Sequence, residues 1–220
     1  MKITFPQRIY GEECQVIDLP ALFDRKKSDG LLIAIEGIDG SGKTTLATAL
    51  ASNISRIFPG VVLTAEPTNS YNRLPKKVFK DDISRMAMDH AIHLGRIVIP
   101  ALIAGNLVIS DRWSWSSYAY QGDTPQNYAL VKASHDWDYR PDLTILLDMP
   151  VSSAMERIKK RGYPTEEYES ERFLDGVRER YREMIAPDWV VVYADRDFND
   201  LFHICTVEMI KAIRRHRRML

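Results

Sequence analysis

The chain is 220 residues long, 45% hydrophobic and 27% charged, with thirty basic residues balancing thirty acidic ones. That length suits one domain with a sizeable core, and the neutral balance gives no electrostatic case for nucleic acid or a membrane surface as partner. Cys14 and Cys205 make neither a disulfide framework nor a zinc site, the N-terminus has no hydrophobic signal core, and the longest apolar stretch, Ile97 to Ala104, is too short to span a bilayer, so a cytoplasmic protein is expected.

Residues 1–30 read as an irregular N-terminal extension, punctuated by Pro6, Gly11, Pro20 and Gly30, with room for a short hairpin. Leu31 to Glu36 is an apolar run fit for a buried strand. Gly37-Ile38-Asp39-Gly40-Ser41-Gly42-Lys43-Thr44 follows and fits G-x-x-x-x-G-K-[ST] at every fixed position. A helix from Thr44 to Phe58 should stop at Pro59-Gly60. Val61 to Ala65 is a second buried strand, ending in Glu66-Pro67-Thr68, and residues 69–80 form a loop or broken helix. Asp81-Asp82 caps a helix from Ile83 to about Ala104, with Pro100 as its bend or stop. Leu107 to Ser110 is a third strand, ending in Asp111-Arg112. Asp123-Thr124-Pro125 opens a helix to about Trp137, and Leu143 to Asp148 is the fourth strand. Pro150 introduces a helix from Val151 to Arg161. Gly162-Tyr163-Pro164 breaks the pattern before a charged helix ending near Ile185. Trp189 to Tyr193 is the fifth strand, and a helix from about Asn199 to Arg215 closes the chain. This alternation implies an α/β domain over 31–220, with a five-stranded parallel sheet and helices on both faces. Ligands then sit beyond the carboxyl ends of the strands, where Glu36, Glu66, Asp111-Arg112 and Asp148 should converge.

The glycines at 37, 40 and 42 let the backbone wrap an anion and turn N–H groups inward, and the helix behind them adds its positive end. Lys43 reaches the β- and γ-phosphates of a nucleoside triphosphate and Thr44 offers its hydroxyl to Mg²⁺. Asp111 sits where a Walker B acid would hold that metal, the alternative being a loop cap. Arg112 is a bidentate phosphate donor or a surface ion pair. Asp39 is a metal-site acid or a solvated turn residue. Arg157, Lys159, Lys160 and Arg161 precede a flexible break, as a closing lid over about 157–172 requires; the plainer reading is a solvated helix laced with (i, i+4) pairs. Trp113, Trp115, Tyr118 and Tyr120 either pack in the core or stack on a base, and Ser114, Ser116, Ser117 and Gln121 offer hydrogen bonds to a base edge. His93, His135, His203 and His216 lack any ligand constellation and read as core or surface residues.

The segments EGIDGSGKTT (36–45), EPT (66–68), IPALIAGNLVISDRWSWSSYAYQG (99–122) and RPDLTILLDMPVSSAMERIKKRG (140–162) keep the order and spacing of the thymidylate kinase family, which the chain resembles over residues 31 to about 194. The DR-aromatic-x-x-S-x-x-AYQG stretch is the specific part, because a Walker A motif alone fits many unrelated proteins. The resemblance implies a P-loop NTPase fold with a short lid, and transfer of the γ-phosphoryl group of ATP to dTMP with Mg²⁺. It implies that Gly37, Asp39, Gly40, Ser41, Gly42, Lys43, Thr44, Thr45 and Arg157 surround ATP, and that Thr44 and Asp111 hold the metal. Lys43, Arg112, Arg161 and Asp39 would carry the transfer: Arg112 matches the arginine that bridges donor and acceptor phosphates, and Arg161 matches a lid arginine. Gly40, in place of Arg, marks the subgroup whose catalytic arginine comes from the lid. The acceptor is expected at Glu66, Met86, His90, Arg112, Ser116, Tyr120 and Gln121. A homodimer is also implied, with the helix of 83–104 as the candidate interface. The departures fall on the acceptor side and in the lid. Ala65 stands where the family has Arg before Glu-Pro, Met86 and His90 stand where it has Phe and Arg on thymine, and Glu166-Glu167-Tyr168-Glu169 replaces Asp-Arg-x-Glu. Arg73 and Arg85 are nearby cations.

Two alternatives follow from those departures. One is a kinase for another deoxynucleotide or for a nucleoside, whose hydroxyl proton would go to Glu66 or Glu36. The other is a nucleotide-binding protein without turnover; the lack of an Asn-Lys-x-Asp motif counts against a GTPase-type switch.

Overall fold

The computed structural model describes residues 29–219 apart from 57, 59, 80 and 163–169; for residues 2–3, 8–9, 12–13, 17–18 and 217–219 it describes the backbone alone. At its centre is β1 (Leu31–Gly37), buried along its whole length. Its odd positions Leu31, Ile33 and Ile35 join one core with Leu46, Leu50 and Ile54. Its even positions Leu32 and Ala34 join a second core with Leu94, Val98, Leu102 and Trp113. A strand covered on both faces must be apolar at every position, which is why the sequence shows a continuous run and not an alternation. Each fully buried Leu or Ile contributes roughly 1.5–3 kcal/mol.

The other strands are β2 (Val61–Ala65), β3 (Leu107–Asp111), β4 (Leu143–Asp148) and β5 (Trp189–Tyr193). The five form one parallel sheet in the order β2-β3-β1-β4-β5. Ile35 pairs with Asp111 and Glu36 with Leu146, so the carboxyl ends of the three central strands lie side by side. In the N-terminal extension Lys2–Ile3 pairs antiparallel with Ile17–Asp18, and Arg8–Ile9 with Glu12–Glu13, a hairpin arrangement. Cys14 lies outside the described residues.

The helices are α1 (Lys43–Ile54), α2 (Asp82–His93), α3 (Ile99–Ile103), α4 (Ser114–Gln121), α5 (Pro125–His135), α6 (Val151–Lys160), α7 (Glu171–Glu183) and α8 (Phe198–Met219). α1 stops short of the expected Phe58, and residues 69–80 contain two 3₁₀ turns, Tyr71–Arg73 and Lys76–Val78. Asp81 caps α2 by accepting from the Ser84 N–H at 2.7 Å. A π-helical turn, Leu94–Val98, joins α2 to α3, and Pro100 falls in the first turn of α3, where its missing N–H costs little. Pro100 therefore neither ends nor breaks the run. By length and composition this Asp82–Ile103 run passes for a membrane span, contrary to the estimate from the sequence, but 56% of its apolar window is buried inside the protein.

α4 is the element without a sequence signal. Its Ser, Trp and Tyr residues are indifferent helix formers, and burial of Ser114, Ser117 and Ala119 decides the conformation. α7 is self-paired only in part: Arg182 meets Glu179 at 3.0 Å within the helix, but Arg178 and Arg182 also reach Asp148 at the end of β4, at 2.6 and 3.0 Å, and Arg180 donates to the Ala119 carbonyl at 2.5 Å. The lid break at Tyr163-Pro164 and the run Glu166 to Glu169 lie outside the described residues.

Candidate active site

The loop after β1 turns through positive φ at Gly37 (146°), Gly40 (81°) and Gly42 (94°). A Cβ on Gly37 would lie 2.7 Å from the Leu147 carbonyl, and one on Gly40 would lie 2.5 Å from the Ala154 carbonyl of α6. The loop is thus wedged between β4 and α6. Lys43, at the head of α1, is buried and donates to the Ile38 carbonyl at 2.9 Å. Burial and the nearby Arg112 push its pKa down to about 8, against the pull of Asp39 at 3.8 Å. Thr44 Oγ1 donates to Asp111 Oδ2 at 2.5 Å, while Asp111 Oδ1 is buried without a hydrogen-bond partner. A carboxylate oxygen with a spare lone pair beside a hydroxyl oxygen is the hard donor set that suits Mg²⁺, which takes few protein ligands and fills its shell with phosphate oxygens and water. A cavity of about 520 Å³ opens over this loop. Ser41, Thr45, Arg157 and Arg161 line it together with Asp39, Gly40, Gly42, Lys43, Thr44 and Asp111. Arg157 donates to the Ala194 carbonyl at 3.2 Å and lies 3.6 Å from Asp195.

Arg112, one residue past β3, is the one non-glycine at positive φ (73°) among the described residues. Three hydrogen bonds hold that turn: Arg112 N–H to the Ile35 carbonyl at 2.9 Å, Ser110 Oγ to the Arg112 carbonyl at 2.6 Å, and Trp113 N–H to Glu36 Oε1 at 2.9 Å. The guanidinium pairs with Asp39, donates to Ser116 Oγ at 3.1 Å and to Tyr120 OH at 3.3 Å, and lies 4.7 Å over the Tyr120 ring. Tyr120 OH in turn donates to Asp39 Oδ2 and accepts from the Asp39 N–H, each at 2.9 Å. Asp39 is therefore neither a bare metal-site acid nor a solvated turn residue. Burial would raise its pKa, but Arg112, Lys43, Tyr120 and Arg161 together hold it below the ordinary value.

A second, narrower cavity adjoins the first, lined by Glu66, Pro67, Met86, Asp89, Trp113, Ser116, Ser117 and again Arg112. Arg112 borders both cavities, and it is the only cation lining the second among the described residues. Behind it sits a buried polar cluster. Glu66 Oε1 meets Nδ1 of both His90 and His93 at 2.6 Å, and His90 Nε2 meets Asp138 Oδ1 at 2.8 Å. Burial would raise the Glu66 carboxyl, but the two imidazoles pull its pKa down to about 2. Burial opposes charge on His90, yet Glu66 and Asp138 raise its pKa well above the ordinary 6.5.

This corrects the expectation for His90. It is 2% exposed, lies outside the cavity lining, and both its nitrogens are engaged by carboxylates, so it has no hydrogen bond left for a base. Gln121 also lies outside both cavities, its Oε1 buried without a partner at the end of α4. Met86, Glu66, Ser116 and Arg112 do line the second cavity, whereas Tyr120 lines neither cavity and is tied to the site by accepting from Arg112 at 3.3 Å. Arg85 does not fill the place of the missing cation; it lies 3.8 Å over the Tyr71 ring and donates to the Tyr71 carbonyl at 2.7 Å. Of the aromatics, Trp113 is fully buried, edge-on to His90 at 4.7 Å, and Trp115 packs on Trp189. His93 and His135 are core residues, as expected.

Arg196, Phe198 and Leu201 also line the first cavity and carry no motif. They follow β5, so extending the strand-end rule to the fifth strand finds them. Asp89, whose carboxylate takes the Thr68 N–H at 2.7 Å and the Thr68 hydroxyl at 2.6 Å, lies among helical core positions and gives no such signal.

The family model described as thymidylate kinase matches residues 35–203. The chain is 37% identical over 190 residues to a probable thymidylate kinase of Methanococcoides burtonii, covering 78% of this chain and 92% of that protein. It is 34% identical over 195 residues to the thymidylate kinase of Xanthomonas campestris pv. campestris, covering 84% and 85%. It is 41% identical over 174 residues to a probable thymidylate kinase of Methanosarcina acetivorans, covering 72% and 84%.

Proposed function

The chain belongs to the thymidylate kinase family, and on that premise we propose that it transfers the γ-phosphoryl group of ATP to dTMP, giving ADP and dTDP. The observation that carries the reading is the shared arginine: Arg112 borders the cavity over the glycine loop and the cavity beneath α2, where a donor and an acceptor phosphate would face each other.

The reaction is an in-line displacement. A phosphate oxygen of dTMP bonds to the γ-phosphorus as the bond to the β-bridging oxygen breaks, and ADP leaves with that electron pair. The acceptor phosphate is already largely ionised near neutrality, so no general base is needed. Glu36 fits that economy: both its oxygens accept protein hydrogen bonds, which leaves it unsuited to taking a hydroxyl proton from a nucleoside. Loop N–H groups and Lys43 hold the β- and γ-phosphates, Arg157 and Arg161 approach the triphosphate from α6, and Arg112 spans the two phosphates as charge spreads between them. Asp39 and Tyr120 orient Arg112 by the contacts above. Thr44 and Asp111 would hold Mg²⁺, which when bound neutralises charge on the β- and γ-oxygens. On the acceptor side Met86 offers apolar surface, while Glu66 and Ser117 offer hydrogen bonds.

We assign the homodimer interface to the α2–α3 run, where Ile97 (41% exposed) and Ile103 (57%) leave apolar surface, in a cytoplasmic protein; light scattering at twice the monomer mass supports that assignment and a monomer overturns it. The activity is tested by chromatographic quantitation of ADP and diphosphate product with dTMP, dUMP, the other deoxynucleoside monophosphates and thymidine as acceptors. Product with dTMP well above the other acceptors supports the reading; turnover confined to another acceptor, or ATP binding without product, contradicts it.

A further inference from the structure

Among the described residues, Glu36 and Tyr181 are two buried polar groups beside the site that line neither cavity. Glu36 is fully buried at the end of β1, and Tyr181, 1% exposed, lies on α7. Glu36 Oε1 accepts the Trp113 N–H at 2.9 Å, and Oε2 accepts the Ser116 hydroxyl at 2.7 Å and the Tyr181 hydroxyl at 2.8 Å. The Ser116 and Tyr181 oxygens are themselves 2.8 Å apart. Ser116, its proton committed to Glu36, presents a lone pair to Arg112 Nη1 at 3.1 Å. The carboxylate thus holds both ends of one residue. Through Trp113 N–H it secures the turn in which Arg112 adopts its left-handed backbone, and through Ser116 it fixes the guanidinium.

We infer that Glu36 and Tyr181 are positioning residues for Arg112, and that Tyr181 ties the setting of that arginine to α7. This rests on the role proposed for Arg112 above. Three features give the inference its physical basis. A non-glycine residue in the left-handed region persists only where its surroundings over-determine it, and Glu36 supplies that constraint from a neighbouring strand. Removing either partner from a buried charge-assisted network leaves a desolvated donor or acceptor unpaired, so the network holds one arrangement. α7 is itself pinned: its buried face carries Leu174, Val177 and Tyr181, and its Arg178 and Arg182 grip Asp148. A shift of α7 would therefore move the Tyr181 hydroxyl and, with it, Ser116 and Arg112. Burial pushes the Glu36 carboxyl up to about 7 even with Ser116, Arg112, Tyr181 and Trp113 pulling down, so these partners are what support its charge.

The test is steady-state kinetics with ATP and dTMP for Tyr181→Phe, Glu36→Gln, Arg112→Ala and the two double variants carrying Arg112→Ala. Misplacing a reacting group by an ångström costs up to about 10²-fold, so kcat should fall roughly 10- to 10²-fold in each single positioning variant while KM for either nucleotide stays within about twofold. In the Arg112→Ala background neither substitution should lower the residual rate further, because both act through the missing guanidinium. Tyr181→Phe keeps the ring and removes one hydroxyl, so it carries the test if Glu36→Gln does not fold. Unchanged kcat in the folded positioning variants, or losses that multiply with that of Arg112→Ala, overturn the inference and leave the function standing. Near-normal turnover in Arg112→Ala itself overturns the proposed role of Arg112, and the inference with it.

Discussion

His90 stands between two carboxylates, Glu66 and Asp138, that share its buried surroundings. Without the imidazolium both would face each other across a desolvated gap. Removing one partner of a buried charged network costs about 3–5 kcal/mol, so His90→Ala should lose that much in urea unfolding. A loss within about 0.5 kcal/mol, the range of ordinary surface changes, would contradict the clamp. The sign of the pH dependence follows from the raised pKa. The imidazolium contributes fully below the unfolded value of about 6.5, and its contribution is lost as the pH rises through the higher folded value. Wild-type stability should therefore decline on the alkaline side, and His90→Ala should flatten that limb. Asp111 gives a second expectation at this scale. Its unpartnered Oδ1 implies that Asp111→Asn lowers ATP affinity measured calorimetrically with Mg²⁺ but changes little without it; equal loss in both conditions would argue for a purely structural carboxylate.

Gly40 joins two elements. A side chain there meets the Ala154 carbonyl at 2.5 Å and the Ile158 side chain at 3.1 Å, at φ 81°. The left-handed backbone alone costs an L-residue about 1–2 kcal/mol, and relief of the clash must push α6 away from the loop. Gly40→Ala should therefore lower the Tm by several degrees (~1 kcal/mol shifts a domain of this size by about 2–4 °C) and weaken ATP binding, because Arg157 and Arg161 travel with α6. Unchanged Tm and affinity would mean that α6 does not rest on the loop. The contact leaves no room at position 40 for the Cβ of any other residue. Element by element, the three central strands were legible because burial on both faces demands nearly unbroken apolar runs. The outer strands β2 and β5 were legible as short Val-rich runs, but Val61–Ala65 is only partly buried, against the expectation of a buried strand, because it lies at the sheet's edge. α4 was not, since Ser-Trp-Ser-Ser-Tyr-Ala-Tyr-Gln has no helical apolar stripe and folds by packing beside Trp113. The π turn was equally hidden, because Pro100 in a periodic run reads as a stop.

At the scale of the whole molecule, parallel strands gather β1, β2, β3 and β4 at one edge, so residues far apart in sequence meet there: Thr44 with Asp111, Asp39 with Arg112 and Tyr120, and Glu36 with Ser116 and Tyr181. The first of these was readable, because a glycine loop and a strand-ending acid each have a fixed place in the chemistry. The others were not, since Tyr181 sits at helical core spacing with Leu174 and Val177, and nothing in one chain announces that His90 faces carboxylates and not a ligand. Two cavities joined by one arginine is the property that only the assembled sheet reveals. The most direct test is the rate of dTDP formation from ATP and dTMP by the wild-type protein and by Arg112→Ala, with circular dichroism as the check on folding. An arginine on the transferring group is worth roughly 10³–10⁵ in rate, so the wild type should turn over and a folded Arg112→Ala should fall by at least about 10³. No dTDP from the wild type, or near-normal turnover in the folded variant, would contradict the account.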